Sequence, residues 1–220
     1  TRAAAAEMKT RFLKMTGGSA RQVTFGTFHG VFYGILRNTY HINGNNILSE
    51  EEKRRLLLEL LDQFFPDEDR EADLPAGIAR EISTVKCGRI QVDNYYSSLL
   101  PEQVFRRIYG AYRQWMRENR KLDFDDIMAE CFRLFRQHPE ILQRWQRAFQ
   151  YILVDEFQDI SPIQYDIVRM LAEPENNLFI VGDDDQSIYR FRGASPEIML
   201  NFSRDYPDAS TVNLNINYRC

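Results

Sequence analysis

Asp155 and Glu156 stand side by side at the end of the apolar run YILV, and Asp159 follows three residues later. A second apolar run, LFIVG, ends in Asp183, Asp184 and Asp185. In open parallel sheets, ligands bind beyond the carboxyl ends of the strands. An ionised carboxylate there can hold a hydrated magnesium ion, which keeps several of its own waters. A second can align, or take a proton from, a water attacking phosphorus. The acid cluster thus points to phosphate chemistry, either nucleotide hydrolysis or a magnesium nuclease. The plainer alternative is that these acids cap the next helix or face solvent.

Other residue groups have a bearing on nucleic acid. Tyr189 and Phe191 alternate with Arg190 and Arg192, supplying ring faces for bases and cations for phosphates. An aromatic pair at this spacing equally suits a core. His29 in TFHG is either a ligand or a structural hydrogen-bonding residue. Arg106, Arg107, Arg113, Arg117, Arg120 and Lys121 either face duplex DNA or form a solvated helix face.

The elements that must carry these residues alternate in texture. AAAAEMKTRFL has helical spacing, GGS breaks it, and RQVTF predicts a short strand. HGVFYGILRNTY returns to helix. From residue 42 to about Gln150 the pattern is almost wholly helical, with a capping box from Ser49 to Glu52 and an exposed loop expected over 66–77. Phe124, Ile127, Met128, Cys131 and Phe135 make one apolar stripe, and Ile141, Leu142, Trp145 and Phe149 make another after Pro139. Beyond residue 150, YILVD, LFIVGD and TVNLN predict strands, with a helix from Ser161 and Pro162 between the first two and another opened by Ser195 and Pro196. Such alternation predicts an α/β fold, a parallel sheet covered by helices on both faces and interrupted by an all-helical insertion.

The 220 residues, 44% hydrophobic and 27% charged, describe an ordinary globular chain. No run is long and apolar enough for a membrane span. Three widely spaced cysteines signal neither a disulfide framework nor a zinc site and fit a reducing cytosol, so a cytoplasmic location is expected. A net charge of -4 argues against a uniform nucleic-acid coat but leaves room for a local basic groove. The first residue is Thr1, which suggests a piece of a longer protein.

LVDEFQD followed by IVGDDDQSIYRFRGA resembles two motifs of the superfamily 1 DNA helicases of the UvrD/Rep/PcrA family. TRAAAAEM, TFHG, LDFDD and NLNINYR resemble further stretches of that family in the same order, so the resemblance runs from end to end. It implies a partial RecA-like motor domain 1A over residues 1–41 and 148–220, lacking its N-terminal phosphate-loop unit, and a helical domain 1B over 42–147. By the same resemblance, Asp155 coordinates the magnesium of Mg-ATP, Glu156 positions the hydrolytic water and Gln186 senses the γ-phosphate. Arg219 would add positive charge there, Tyr218 would stack near adenine, and Gln158 and Asp159 would couple the nucleotide and DNA sites. Thr1, Arg2, Thr27, Phe28, His29, Tyr189, Phe191 and Arg192 would contact single-stranded DNA. Phe191 stands where the family usually has tryptophan, and Gly30 where it often has serine.

The implied activity is ATP-driven, 3′-to-5′ translocation on single-stranded DNA and at junctions with duplex, using ATP and Mg2+. No glycine loop ending in Lys-Ser or Lys-Thr occurs in these residues, so this piece alone is expected to be inactive. The rival readings are the motor part of a helicase–nuclease subunit and a non-catalytic DNA-binding scaffold. Asp155, Glu156, Gln186 and Arg219 together count against the scaffold.

Overall fold

The computed structural model describes residues 1–18, 22–66, 71–88, 90–183, 196–214 and 216. The chain forms two compact units, Thr1–Arg147 and Ala148–Cys220. The first is helical, with α1 (Arg2–Met15), α2 (Phe28–Tyr40), α3 (Glu50–Phe64), α4 (Leu74–Cys87), α5 (Glu102–Glu118) and α6 (Phe124–Gln137), and α7 (Pro139–Ala148) crosses the boundary. The second carries β1 (Ile152–Val154), α8 (Pro162–Ala172), β2 (Leu178–Ile180), α9 (Pro196–Leu200) and α10 (Phe202–Asp205).

Local signals account for most helix ends. Ser49 and Glu52 form the predicted capping box of α3, each side chain closing the other's backbone N–H. Asp123 and Asp126 do the same for α6. After α1, Gly17 (φ 60°) and Gly18 (φ 80°) take left-handed backbone that a side chain would resist.

The core of the first unit is built where α3, α4 and α5 meet. Leu57, Leu61, Ile78, Ile82, Phe105 and Ile108 are buried there. Each contributes about 1.5–3 kcal/mol by leaving water. Residues 46–48 lie beside Leu122, with Leu122 N–H donating to the Asn46 carbonyl at 2.7 Å and Leu48 N–H to the Leu122 carbonyl at 2.8 Å. That clip ties the start of the α3–α5 segment to its end.

Beneath it lies a buried charge cluster from the LDFDD stretch. Lys86 Nζ sits 2.7 Å from Asp123 Oδ2 and 2.9 Å from Asp126 Oδ1, and Tyr112 donates to Asp123 Oδ2 at 2.6 Å. Burial pushes the Asp123 carboxyl up, but Lys86, Lys53 and the hydrogen bonds outweigh it and hold the carboxyl below the usual range. Asp126 is raised by burial and by the Asp123 charge beside it. Burial opposes the charge on Lys86, yet the two carboxylates carry it above the ordinary lysine value.

In the second unit β1 and β2 pair in parallel, Ile152 with Leu178, Leu153 with Phe179 and Val154 with Ile180. The right partners for a βαβ unit are present, since α8 connects them with Ser161 as N-cap and Pro162 in its first turn.

Several expectations differ from the structure. Residues 22–27 and 211–214 lie outside strands, because among the described residues the sheet has two strands and neither stretch has a ladder to join. Helices were expected on both sheet faces, but Leu153 is 73% exposed and Phe179 61% exposed, so one face is uncovered by the described residues. The last four residues of the expected 66–77 loop are the start of α4, where Pro75 occupies a turn that has no N–H bond to lose. Phe124 is 41% exposed and departs from its stripe, and the α7 stripe contains no fully buried residue.

Lys86→Met removes the nearest cation from two buried carboxylates and is expected to cost about 3–5 kcal/mol at neutral pH, read from the urea midpoint. Because the Lys86 value is raised by folding, its contribution is full below ~10.4 and fades as pH rises through the folded value. The gap between wild type and Lys86→Met is therefore expected to narrow at high pH.

Candidate functional site

The tip of β1 is shaped by one buried amide. Gln158 is 2% exposed, and its Nε2 donates to Glu156 Oε2 at 2.7 Å while its Oε1 accepts from the Asp183 N–H at 3.1 Å. One side chain thus joins the acid after β1 to the backbone after β2. Phe157 N–H also donates to the Val181 carbonyl at 2.9 Å, continuing the ladder past the strand ends. Buried Phe157 anchors this turn edge-on against Tyr165 and Phe202.

Two features show how tightly the turn is built. Glu156 adopts left-handed backbone at φ 52°, a conformation that costs a non-glycine residue about 1–2 kcal/mol. At Gly182, an added Cβ would lie 2.6 Å from Gln158 Oε1 and 3.0 Å from Met199 Sδ. Glycine is therefore what lets the second strand's backbone approach the amide. Spacing alone gave no sign of Gly182; the signal was a glycine directly after an apolar run.

Asp155 and Glu156 are both exposed, and Asp155 has no hydrogen-bond or ion-pair partner among the described residues. A free, hard carboxylate oxygen suits magnesium, which brings waters and phosphate oxygens to complete its shell. No cluster of three or more metal-binding side chains occurs among the described residues, so Asp155 fits such an ion as one ligand rather than as part of a cage. Asp159 carries a buried Oδ1 with no hydrogen-bond partner among the described residues, and partial burial followed by the Glu156 charge raises its carboxyl.

In the first unit, Thr27 caps α2, its Oγ1 accepting from the Gly30 N–H at 3.2 Å. A Cβ at Gly30 would stand 3.4 Å from Thr27 Oγ1, an ordinary contact, so the backbone does not demand glycine here. Phe28 packs against Phe32 at 5.9 Å between ring centroids. His29 is half-buried and meets Phe124 edge-on at 5.5 Å. Burial lowers its value, opposed by the Asp125 charge and by a hydrogen bond to the Phe124 backbone, so a neutral imidazole is expected at pH 7. Thr1 caps α1 by accepting from the Ala4 N–H at 3.2 Å, and Arg2 is exposed at its first turn.

The structure therefore brings Asp155, Glu156, Gln158 and Asp159 together in one unit, and Thr27, Phe28 and His29 together in the other. Gln186, Tyr189, Phe191, Arg192, Tyr218 and Arg219 lie outside the described residues. No described helix is long and apolar enough to cross a membrane. Cys87 and Cys131 are free thiols.

Gly182→Ala is expected to cost about 1–3 kcal/mol through its clash with Gln158. In a Gln158→Ala background the same change should cost less, because the nearest clashing atom is gone. A thermodynamic cycle from urea melts of the four proteins checks this; full additivity would show that the two residues do not meet.

Residues 1–207 match the family described as the UvrD/REP helicase N-terminal domain. The whole chain is 39% identical over 234 residues to the putative ATP-dependent DNA helicase YjcD of Bacillus subtilis, covering 29% of that protein. It is 38% identical over 225 residues to the ATP-dependent DNA helicase PcrA of the same organism, and 35% identical over 228 residues to PcrA of Staphylococcus aureus, covering 30% of each. The chain thus spans less than a third of these relatives' length. On the match across residues 1–207, the chain belongs to the UvrD/REP helicase N-terminal domain family.

Proposed function

We propose that this chain is the part of an ATP-dependent DNA helicase that aims water at the nucleotide and grips one DNA strand. The observation that carries the reading is Glu156, held by buried Gln158 at a strand tip directly beside Asp155, which has no partner among the described residues. A solvated surface pair has no need of left-handed backbone or of a buried amide locking one member.

In this reading residues 1–41 and 148–220 belong to a RecA-like motor domain and 42–147 to a helical insertion. Asp155 holds the magnesium of Mg-ATP, whose charge would draw electron density from the phosphates. Glu156 orients the attacking water and takes its proton, and Gln158 keeps that carboxylate from swinging into solvent. Gln186 and Arg219 respond to the γ-phosphate and Tyr218 packs on the base. Asp159, whose carboxyl feels the Glu156 charge, helps link the nucleotide and DNA sites.

On the DNA side Thr1, Arg2, Thr27, Phe28, His29, Tyr189, Phe191 and Arg192 contact a single strand. Stacking on ring faces tolerates every base, as a motor that moves along any sequence requires. A neutral His29 offers the strand a hydrogen bond rather than an ion pair, so its share of binding should change little with salt. Movement is 3′ to 5′, and the DNA partner includes junctions of single and double strands.

In the longer protein, Glu156→Gln is expected to lower DNA-stimulated ATP hydrolysis by ~100-fold or more while sparing strand binding. Turnover near the wild-type rate would remove Glu156 from this role. The 220-residue chain alone, which contains no phosphate-cradling glycine loop, is expected to release no phosphate above background in the same assay. DNA-stimulated release by the chain would overturn that part of the reading.

A further inference from the structure

The basic cluster on α5 and after it does not behave as one face. Arg106 pairs with Asp93 and Glu102, Arg107 lies over the Phe64 ring, and Lys121 Nζ sits 2.9 Å from Glu52. Arg117 and Arg120 have no side-chain partner among the described residues, and both line an open cleft of about 560 Å³ in the first unit. That volume falls within the ~300–1,000 Å³ typical of small-ligand sites. Tyr40 borders the same cleft, with Met116 and Leu122 adding apolar surface.

Charge in the cleft is unbalanced toward the positive. Asp126 and Glu130 also line it, but each is already answered: Asp126 by Lys86 at 2.9 Å and Arg113 at 3.3 Å, Glu130 by Arg133. The two free guanidiniums are thus left over in a chain whose net charge is -4.

Two helix ends with left-handed backbone meet at the same place. His41 (φ 54°) and Arg120 (φ 51°) are both left-handed without being glycine, and both border the cleft. Each such residue costs about 1–2 kcal/mol. Each stands at a helix end, His41 after α2 and Arg120 after α5, where left-handed backbone commonly terminates the turn. Here Asn46 Nδ2 donates to the Arg120 carbonyl at 2.9 Å and Lys121 N–H donates to the Met116 carbonyl at 2.9 Å, holding the turn in place. A glycine would relax the position of Arg120, yet the position carries a long cation that borders the cleft.

We propose that this cleft binds one nucleotide unit, with its phosphate on the Arg117 and Arg120 guanidiniums and its base against Tyr40 and the apolar surface. Guanidinium forks match phosphate oxygens in pairs, and an aromatic ring beside them accepts any base. Tyr40 stays a neutral phenol there, since partial burial raises its value. The site lies in the helical unit, apart from the strand-tip acids, and does not depend on the role given to Asp155 and Glu156. The nucleotide is either free or one residue of a strand.

The test is an amide-shift titration of the isotope-labelled chain with dAMP, with a short oligothymidine and with inorganic phosphate. Binding by dAMP that moves the amides of residues 40–42 and 116–122 supports a free nucleotide as ligand. Binding by the oligothymidine alone at the same amides supports a strand. The double substitution Arg117→Gln with Arg120→Gln should weaken either by about tenfold or more. Arg120→Gly should weaken binding while leaving the melting temperature equal or higher, because glycine suits the left-handed turn. Shifts confined to other residues, phosphate binding as well as either nucleotide ligand, no binding by any probe, or unchanged affinity in the double variant would each overturn the proposal.

Discussion

A charge buried away from water must be surrounded by protons and opposite charges, and Asp123 shows how much structure that requirement organises. Its carboxylate is 2% exposed and takes Lys86, Tyr112 and the Asp126 N–H as replacements for its hydration shell. Those partners come from α4, α5 and α6, and Lys53 on α3 stands 3.6 Å away. A shift of any one of these helices removes a charge partner or a hydrogen bond from the cluster. The apolar contacts of Leu57, Ile82 and Phe105 supply most of the burial energy, but many arrangements of such side chains would bury similar area. The ion cluster picks one. Phe124, next in sequence to Asp123, then meets His29, so the same residues that fix the helical unit also set the environment of a candidate DNA contact.

The second unit meets the same requirement with a neutral group. Gln158 is buried as deeply as Asp123, and it is satisfied by a carboxylate on one side and a backbone N–H on the other. Because the amide both donates and accepts, it ties the ends of two parallel strands without adding charge beside Glu156. Gly182 supplies the room. The resulting turn holds an acid in an unfavourable backbone conformation, as Arg120 is held in the other unit. In each case hydrogen bonds to neighbouring segments enforce the conformation, and in each case the side chain is exposed.

Much of this organisation was legible in the residues. Ser49 with Glu52 and Ser161 with Pro162 announced helix starts because caps act over a single turn and need nothing distant. YILV and LFIV announced two parallel strands, since short apolar runs ending in polar residues have few other uses. RQVTF and TVNLN carried a similar pattern and formed no strand in the described residues. A strand is completed by a neighbour, and the sequence of one stretch cannot say whether that neighbour is present. Pro75 and Gly77 read as loop because both break helices in isolation. In the fold, proline sits in a first turn that tolerates it, and Gly77 lies close under Leu99, where an added Cβ would come within 2.5 Å.

By itself the amino-acid order settled what is local: which residues cap, which faces are apolar, which acids end a strand, and which long motifs assign the family. It also settled the presence of Asp155 beside Glu156 and of an arginine-rich stretch near the end of α5. Tertiary structure alone decided which of those side chains are spent on neighbours and which are left free. Arg113 and Arg117 are chemically alike, one helical turn apart and both border the cleft, yet one is held by Asp126 and the other is unpaired among the described residues. Pairing depends on the distance between groups far apart along the chain, and only packing sets that distance.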